Sequence, residues 1–429
     1  MNAASKNARS KSTPSKNTAS TGAATPTDAA TIDLEVGPPA HGGHCVARLD
    51  GRVVFVRHAL PGEHVRAVVT STGSKFWRAD AVEVLGDPSP DRVASAWPAA
   101  GPGGVGGGEL AHVSLPGQRA WKAAVVAEQL RRMARVELEV PVLPAPGDDE
   151  RGGLAYRTRI DLVTGPDGRA GMFGWRSHEV HVLDAMPLAV EQITDLDLFS
   201  RRWPARSRIA VAAPATDRPL LMVDGEVWDL ARHRRDQRGT PRRSVREQVG
   251  RFEYRVAADG FWQAHRAAPQ VLVDAVLGAA GDVTGATVAD LYAGAGLFTV
   301  ALADAVGEQG RVVAVEGDAR AVRDARRNAH DLPQVQLLAG DVRDVVSADA
   351  LVHADVVVLD PPRAGAGRVV VDRIGELRPE RVVYVACDPA ALARDVDLLA
   401  AHGYRLVEAT GHDLFPMTHH VETVAVLTR

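Results

Sequence analysis

Cysteine is nearly absent from this chain. Its 429 residues hold only Cys45 and Cys387, too few and too widely separated for a disulfide framework or a cysteine-based zinc site. Long apolar runs are missing as well: none reaches the roughly 18 residues that mark a membrane span. No basic, apolar and small-residue leader opens the chain, so neither membrane spanning nor secretion is expected, and the expected location is the cytoplasm. Nothing in the sequence calls for an obligate protein partner. Nor is there a surplus of positive charge. Lys plus Arg number 50 against 54 Asp plus Glu, a net charge of −4, which excludes a protein that coats nucleic acid through its whole-body charge. What remains is an ordinary globular composition, 45% hydrophobic and 24% charged. At about 150 residues per domain, the length suggests two to three domains.

Residues 1–30 are mostly Ala, Ser, Thr, Asn and Lys, with almost no large apolar side chain. They are expected to form a disordered tail, because they bury too little to offset the entropy of ordering. Between residues 31 and 88, apolar and polar residues alternate between glycine turns, which predicts a small β-barrel of about five strands. Residues 89–265 read as a mixed, β-rich central domain. Its glycine-rich GPGGVGGGEL lacks the Lys-Ser/Thr pair of a phosphate loop and follows no predicted strand, so nucleotide binding is excluded there. Eight arginines between Arg232 and Arg251 face only Asp236 and Glu247. Such a run is either a solvated loop or a polyanion contact.

Residues 266–429 change in texture. VADLY, RVVAVEG, VQLLAG, ADVVVLDPP, RVVYVACDP, YRLVEATG and VETVAVLTR are seven strand-like runs, most of them separated by helical stretches. This alternation predicts an α/β domain with a mostly parallel, Rossmann-like sheet of seven strands covered on both faces. The last two runs lack an intervening helix and are expected to form an antiparallel hairpin at the sheet edge.

In DLYAGAGLFTVALADAVG, Gly294 and Gly296 stand between a strand and a helix, where backbone can approach a ligand closely. The third glycine of a dinucleotide fingerprint is replaced by Thr299. Glu316 ends the next strand, where an acid can accept hydrogen bonds from a ribose diol, and Asp341 follows the third, within reach of an adenine edge. An adenosyl pocket without a phosphate clamp suits S-adenosylmethionine better than NAD. Asp360, made rigid by Pro361 and Pro362, ends the fourth strand in the same crevice. Cys387 ends the fifth, beside a helix N-terminus whose partial charge favours thiolate, with Asp388 opposing. A cysteine at a ligand-facing strand end reads as a nucleophile rather than as an inert core residue.

The set FWQAH, DLYAGAGLFT, AVEG, LDPPRAG, YVACDPAALARD and LFPMTHHVETVAVLTR resembles the class I S-adenosylmethionine-dependent RNA uracil-C5 methyltransferases. The resemblance covers about residues 32–429 and is most specific in the last 150. It implies an N-terminal TRAM barrel, a central domain and a C-terminal methyltransferase that forms 5-methyluridine in tRNA or rRNA. By the same resemblance Cys387 is the nucleophile, Glu422 the base, and Gln263, Tyr292, Glu316 and Asp360 are cofactor-site residues. Phe261 or Trp262 is either a stacking platform for a base or a core anchor. A methyltransferase with another substrate and an RNA-binding module without catalysis are the rival readings.

The chain departs from this family in one conspicuous way. Many relatives hold an iron-sulfur cluster on four cysteines, and the corresponding positions here are Trp97, Val105, Gly108 and Met186. No cluster is expected, since such centres are held by thiolates, and packing by Trp97 and Met186 is expected in its place. His265 stands where relatives often have Asn, which leaves its role open. Leu297 replaces a cofactor-binding Asn of some relatives, and that contact is not carried over.

Overall fold

Between residues 31 and 84 the period-two pattern places apolar side chains on one face of each strand, and those faces are buried only if the strands curl round a common interior. The computed structural model, which describes residues 30–237, 242–347 and 351–429, closes them into a barrel. Strands β1 (Thr31–Ala40), β2 (His44–Leu49), β3 (Arg52–Arg57), β4 (His64–Thr72) and β5 (Phe76–Val84) pair in the order β1-β2-β3-β5-β4, and β1 returns to β4. Closure leaves no open edge. Leu34, Cys45, Val54, Val56 and Val65 fill the interior. Cys45 points its Sγ at the Ala59 carbonyl 3.6 Å away, and burial raises its pKa, so it is the inert core thiol. The tail expected over residues 1–29 lies outside the described residues.

Helix α1 (Leu115–Gln129) and a π-helical turn over Leu130–Ala134 follow, then a short strand β6 (Val142–Pro144). A seven-stranded antiparallel sheet comes next. It comprises β7 (Arg159–Thr164), β8 (Ala170–Phe173), β9 (Val180–Val182), β10 (Arg208–Ala212), β11 (Leu220–Val223), β12 (Glu226–Asp229) and β13 (Arg234–Arg235), in the order β13-β12-β11-β10-β7-β8-β9. A one-turn helix α2 (Glu191–Thr194) interrupts it. The hairpin β14 (Ser244–Val249) and β15 (Phe252–Ala257) is a separate two-stranded sheet.

The glycine-rich loop packs against the antiparallel sheet. Trp97, Val105 and Met186 are buried in one cluster with Tyr156, Ile160 and Leu188. A Cβ at Gly108 would lie 2.9 Å from the Trp97 ring, so the indole occupies the room that a side chain there would need. The four positions that hold cluster cysteines in relatives thus converge here as an apolar contact.

The C-terminal layer is built from α3 (Ala268–Ala280), β16 (Thr287–Leu291), α4 (Leu297–Val306), β17 (Arg311–Glu316), α5 (Ala319–Asn328), β18 (Val335–Ala339) and α6 (Val342–Ser347). It continues through β19 (Val356–Leu359), α7 (Gly367–Leu377), β20 (Arg381–Ala386), α8 (Pro389–Ala400), β21 (Arg405–Asp413) and β22 (Glu422–Thr428). The strand order is β18-β17-β16-β19-β20-β22-β21-β6, parallel from β18 to β20. Val and Leu dominate because both faces are covered.

The last two strands form the expected antiparallel hairpin, with β22 against β20 and β21 outside it. One feature differs from the sequence expectation: the sheet has eight strands, since β6 pairs in parallel with β21 and takes the edge. Residues 115–144, read with the central segment, thereby contribute to the C-terminal layer. A three-residue strand has no periodicity by which a sequence could announce it. Among the described residues no helix is long and apolar enough to cross a membrane.

Truncating Trp97 to Ala opens a cavity where relatives hold metal, and it should cost about 3–5 kcal/mol in chemical denaturation of the full chain. A cost below about 1 kcal/mol would show that the ring does not substitute for the lost staple.

Candidate active site

The chain order reverses between β17-β16 and β19-β20, and open α/β sheets bind ligands where the carboxyl ends of strands flank such a switch point. At the end of β16 the backbone turns sharply, with Tyr292 at φ +66°, Gly294 at +58° and Gly296 at +91°. A Cβ at Gly294 would meet nothing within 4 Å, so this backbone is open to a ligand. Glu316 pins the turn. Its Oε2 accepts the Gly294 N–H at 2.8 Å and its Oε1 accepts the Asp318 N–H at 2.6 Å, which leaves lone pairs on both oxygens for a diol. Asp341 sits at the end of β18, exposed, and its carboxylate is paired with Arg343 at 3.1 Å. Hydrogen bonds from Arg343 hold it below the usual carboxylate range.

Thr299, in place of a third glycine, donates its hydroxyl to Asp290 Oδ2 at 2.5 Å. The other oxygen of Asp290 is buried without a partner, and burial pushes its pKa up to about 7, with Glu316 adding to the effect. Sequence reading passed over Asp290. Its signal was an acid inside an otherwise apolar strand.

The neighbouring strands bring the second group of residues. The Asp360 N–H donates to the Leu291 carbonyl at 3.3 Å, which ties the ends of β16 and β19 together. Ala386 on β20 is paired with Thr423 on β22, so Cys387 and Glu422 leave adjacent strands at the same end. Cys387 is half-buried and Glu422 almost fully buried. Burial pushes the Cys387 thiol up to about 12, and Glu422, Asp360 and Asp388 push the same way while Arg363 opposes them. Burial raises Glu422 well above the carboxylate range, helped by Asp360. Burial and the Asp290 charge lift Asp360 to about 7.

This corrects the expectation of a helix-stabilised thiolate. The N-terminus of α8 is already capped by Asp388, whose Oδ1 accepts the Ala391 N–H at 2.8 Å, and the charges of Glu422, Asp360 and Asp388 all disfavour a thiolate. The RNA-free site therefore holds a neutral thiol. A second ligand of Asp388 comes from the barrel: His41 Nε2 lies 3.0 Å from its Oδ2. No local sequence signal links residues 347 positions apart.

Gln263 is buried on the segment before α3, where it lines a small cavity with Thr158, Glu247 and His265. Trp262 is a core residue packed on Tyr254 at 5.3 Å, whereas Phe261 is 75% exposed. His265 is also structural: its Nε2 lies 2.9 Å from Asp148 Oδ2, and its ring stacks on Tyr156.

In the arginine run, read as either a solvated loop or a polyanion contact, most members lie beside acids at the surface. Arg232, Arg235, Arg242, Arg243, Arg246 and Arg251 pair with Asp229, Glu226, Asp217, Glu226, Glu253 and Asp304. Arg238 lies outside the described residues. Arginines also line two cavities, several of them likewise beside acids: Arg159 with Glu247, Arg208 with Asp161, Arg320 with Asp259 and Arg327 with Asp324. One, of about 670 Å³, carries Arg157, Arg159, Arg208 and Arg320 beside Phe261. The other, of about 350 Å³, shares Arg320 and adds Arg243, Arg255, Arg323 and Arg327.

Residues 344–429 match the family model of tRNA (uracil-5-)-methyltransferase, residues 29–82 the TRAM domain, and residues 267–376 the methyltransferase small domain. The chain is 43% identical over 422 residues to an uncharacterized RNA methyltransferase of Streptomyces coelicolor, with 92% of each chain covered. It is 33% identical to the 23S rRNA (uracil(1939)-C(5))-methyltransferase of Alkalilimnicola ehrlichii, with 91% of this chain and 95% of that one covered. It shares its fold with the Pyrococcus abyssi tRNA (uracil-54, C5)-methyltransferase solved with S-adenosyl-L-homocysteine. That match has a TM-score of 0.67 at 23% identity and covers 92% of this chain and 100% of the other.

Two measurements check the electrostatics. At pH 7.5 without RNA, Cys387 should react with iodoacetamide about a thousandfold more slowly than a free cysteine, as its raised pKa requires; peptide mapping at a free-thiol rate contradicts the carboxylate cage. Asp290 binds its proton more tightly folded than unfolded, so it withdraws stability as pH rises from about 4 through about 7. Asp290→Asn should therefore gain in Tm over the parent at pH 8 but not at pH 4, and equal gaps at both would contradict the burial effect.

Proposed function

Because the chain belongs to the family of S-adenosylmethionine-dependent RNA uracil-C5 methyltransferases, we propose that it methylates C5 of a uridine in tRNA or rRNA, with Cys387 as nucleophile and Glu422 as base. One observation carries this reading: a thiol and two protonatable carboxyls leave neighbouring strand ends beside an open glycine turn. Its setting would be the cytoplasm.

The residues of the turn fit an adenosyl ligand. Gly294 leaves room, Glu316 keeps acceptor capacity, and Asp290 presents an unpartnered buried oxygen. Tyr292, Gly294, Gly296, Glu316 and Asp341 would hold it, with Gln263 and Asp360 toward the chemical end. S-adenosylmethionine bound there supplies an electrophilic methyl group.

Uracil C5 is a poor nucleophile by itself. Addition of the Cys387 sulfur to C6 moves electron density onto C5 and makes it one. The thiol must first lose its proton, and the surrounding carboxyls are the groups placed to receive it. Asp360, with a pKa of about 7, is partly ionised at neutral pH and suits that task. Once methylated, C5 carries both a hydrogen and the methyl group. Glu422 removes the hydrogen, the C5–C6 double bond re-forms, and the sulfur leaves.

A uridine in folded RNA must be unstacked to reach such a crevice. Arg320, shared by the two arginine-lined cavities, marks a track on which backbone phosphates would lie, with Phe261 exposed for stacking.

Incubation with S-adenosylmethionine and bulk tRNA or rRNA should yield 5-methyluridine, and Cys387→Ala should abolish it; full activity of that variant rules out the covalent route. RNA containing 5-fluorouracil should become covalently trapped, because fluorine cannot leave as a proton does. An enzyme acting on another substrate forms no such adduct. Arg320→Ala and Arg323→Ala should each weaken RNA binding and reduce the salt slope by roughly 1, while cofactor affinity stays unchanged.

A further inference from the structure

Glu422 opens β22, so the loop over residues 414–421 sets where its carboxyl stands. That loop is gripped by elements from the first half of the chain. Lys122 on α1 donates to Asp413 Oδ1 at 2.5 Å and to the Phe415 carbonyl at 3.0 Å. The Tyr156 hydroxyl donates to the Pro416 carbonyl at 3.0 Å. Gln118 accepts the Met417 N–H on its Oε1 at 2.7 Å, and its Nε2 donates to the carbonyls of Leu110 and Val113. The Leu110 N–H closes the set on the Met417 carbonyl at 2.9 Å.

Three consecutive loop residues thus have backbone groups held from sites some 260–300 positions earlier. The gripping side chains are buried at 0–1% exposure. Met417 is held at φ +69°, a conformation that a non-glycine residue keeps only when its surroundings over-determine it. A fully buried ammonium is an expensive way to hold a fold, and apolar packing would serve stability as well. What hydrogen bonds to fixed backbone groups add is position.

We propose that Gln118, Lys122 and Tyr156 are positioning residues for Glu422, clamping the loop so that its carboxyl meets the C5 hydrogen of the methylated adduct. The proposal rests on the reading of Glu422 as base. In the affected step the Glu422 carboxylate, its resting proton already given up to water, takes the C5 proton, the C–H electron pair forms the C5–C6 double bond, and the C6–S bond breaks with the pair leaving on Cys387 sulfur. A displaced Glu422 slows this step alone, so the enzyme–RNA adduct accumulates.

The test uses the full chain with a tritium-labelled methyl donor and unmodified RNA, scoring label in denaturant-stable enzyme–RNA adduct. Tyr156→Phe removes one oxygen and keeps the ring, and Gln118→Met removes both arms of the clamp. Each should lower kcat by about tenfold to a hundredfold and raise the labelled adduct several-fold, as small misplacements of a catalytic group do. Trapping by 5-fluorouracil RNA, which needs no proton removal, should stay within about twofold of the parent. Trp121→Phe, on the same helix but packed into the barrel core, should lower Tm without adduct accumulation. Parallel loss of trapping and turnover in the clamp variants, or unchanged adduct, overturns the proposal. Glu422→Gln separates the two readings. If it accumulates no adduct the base assignment fails; if it does and the clamp variants do not, the clamp alone fails.

Discussion

Three acidic side chains and one thiol share a crevice too dry to hold them all ionised. Asp290, Asp360 and Glu422 are each raised by burial before any neighbour acts, and each charge that forms penalises the next. Protons are therefore part of the resting site. Burial holds the Cys387 thiol neutral, and Glu422 keeps its proton well above the carboxylate range.

The sheet topology creates that crowding. Parallel strands deliver their carboxyl ends to one side, and the antiparallel β22, inserted between β20 and β21, delivers its amino end to the same side. Glu422 can stand beside Cys387 only because the last strand runs backwards. A sheet extended by one more parallel strand would put Glu422 at the opposite end. The eighth strand, β6, then covers the edge that β21 would otherwise expose.

The first half of the chain is bound into this arrangement at several points. The barrel reaches the catalytic region through His41 and Asp388, α1 and Tyr156 hold the loop before Glu422, and His265 with Asp148 stiffens the segment that carries Gln263. In the central region the indole of Trp97 lies over Gly108 in an apolar contact. Such contacts tie domains that could fold apart to a chemistry that needs them in register.

Much of this was written locally. Seven Val- and Leu-rich runs separated by helical stretches announce a covered parallel sheet, and Gly294, Gly296 and Glu316 lie close enough in sequence to show a ligand turn. Cys387 and Asp360 are marked by their places at strand ends. Such features are legible because strand periodicity and turn chemistry act over a few residues. What the linear pattern left out acts across hundreds. The sequence left the arginine run open between a solvated loop and a polyanion contact, and only the fold shows that six of its members lie beside acids. It suggested a thiolate from one helix end, but the sulfur also feels Asp360 and Glu422, brought from two other strands. A side chain's type is local information, whereas its charge state and its partners are properties of whatever the fold packs around it.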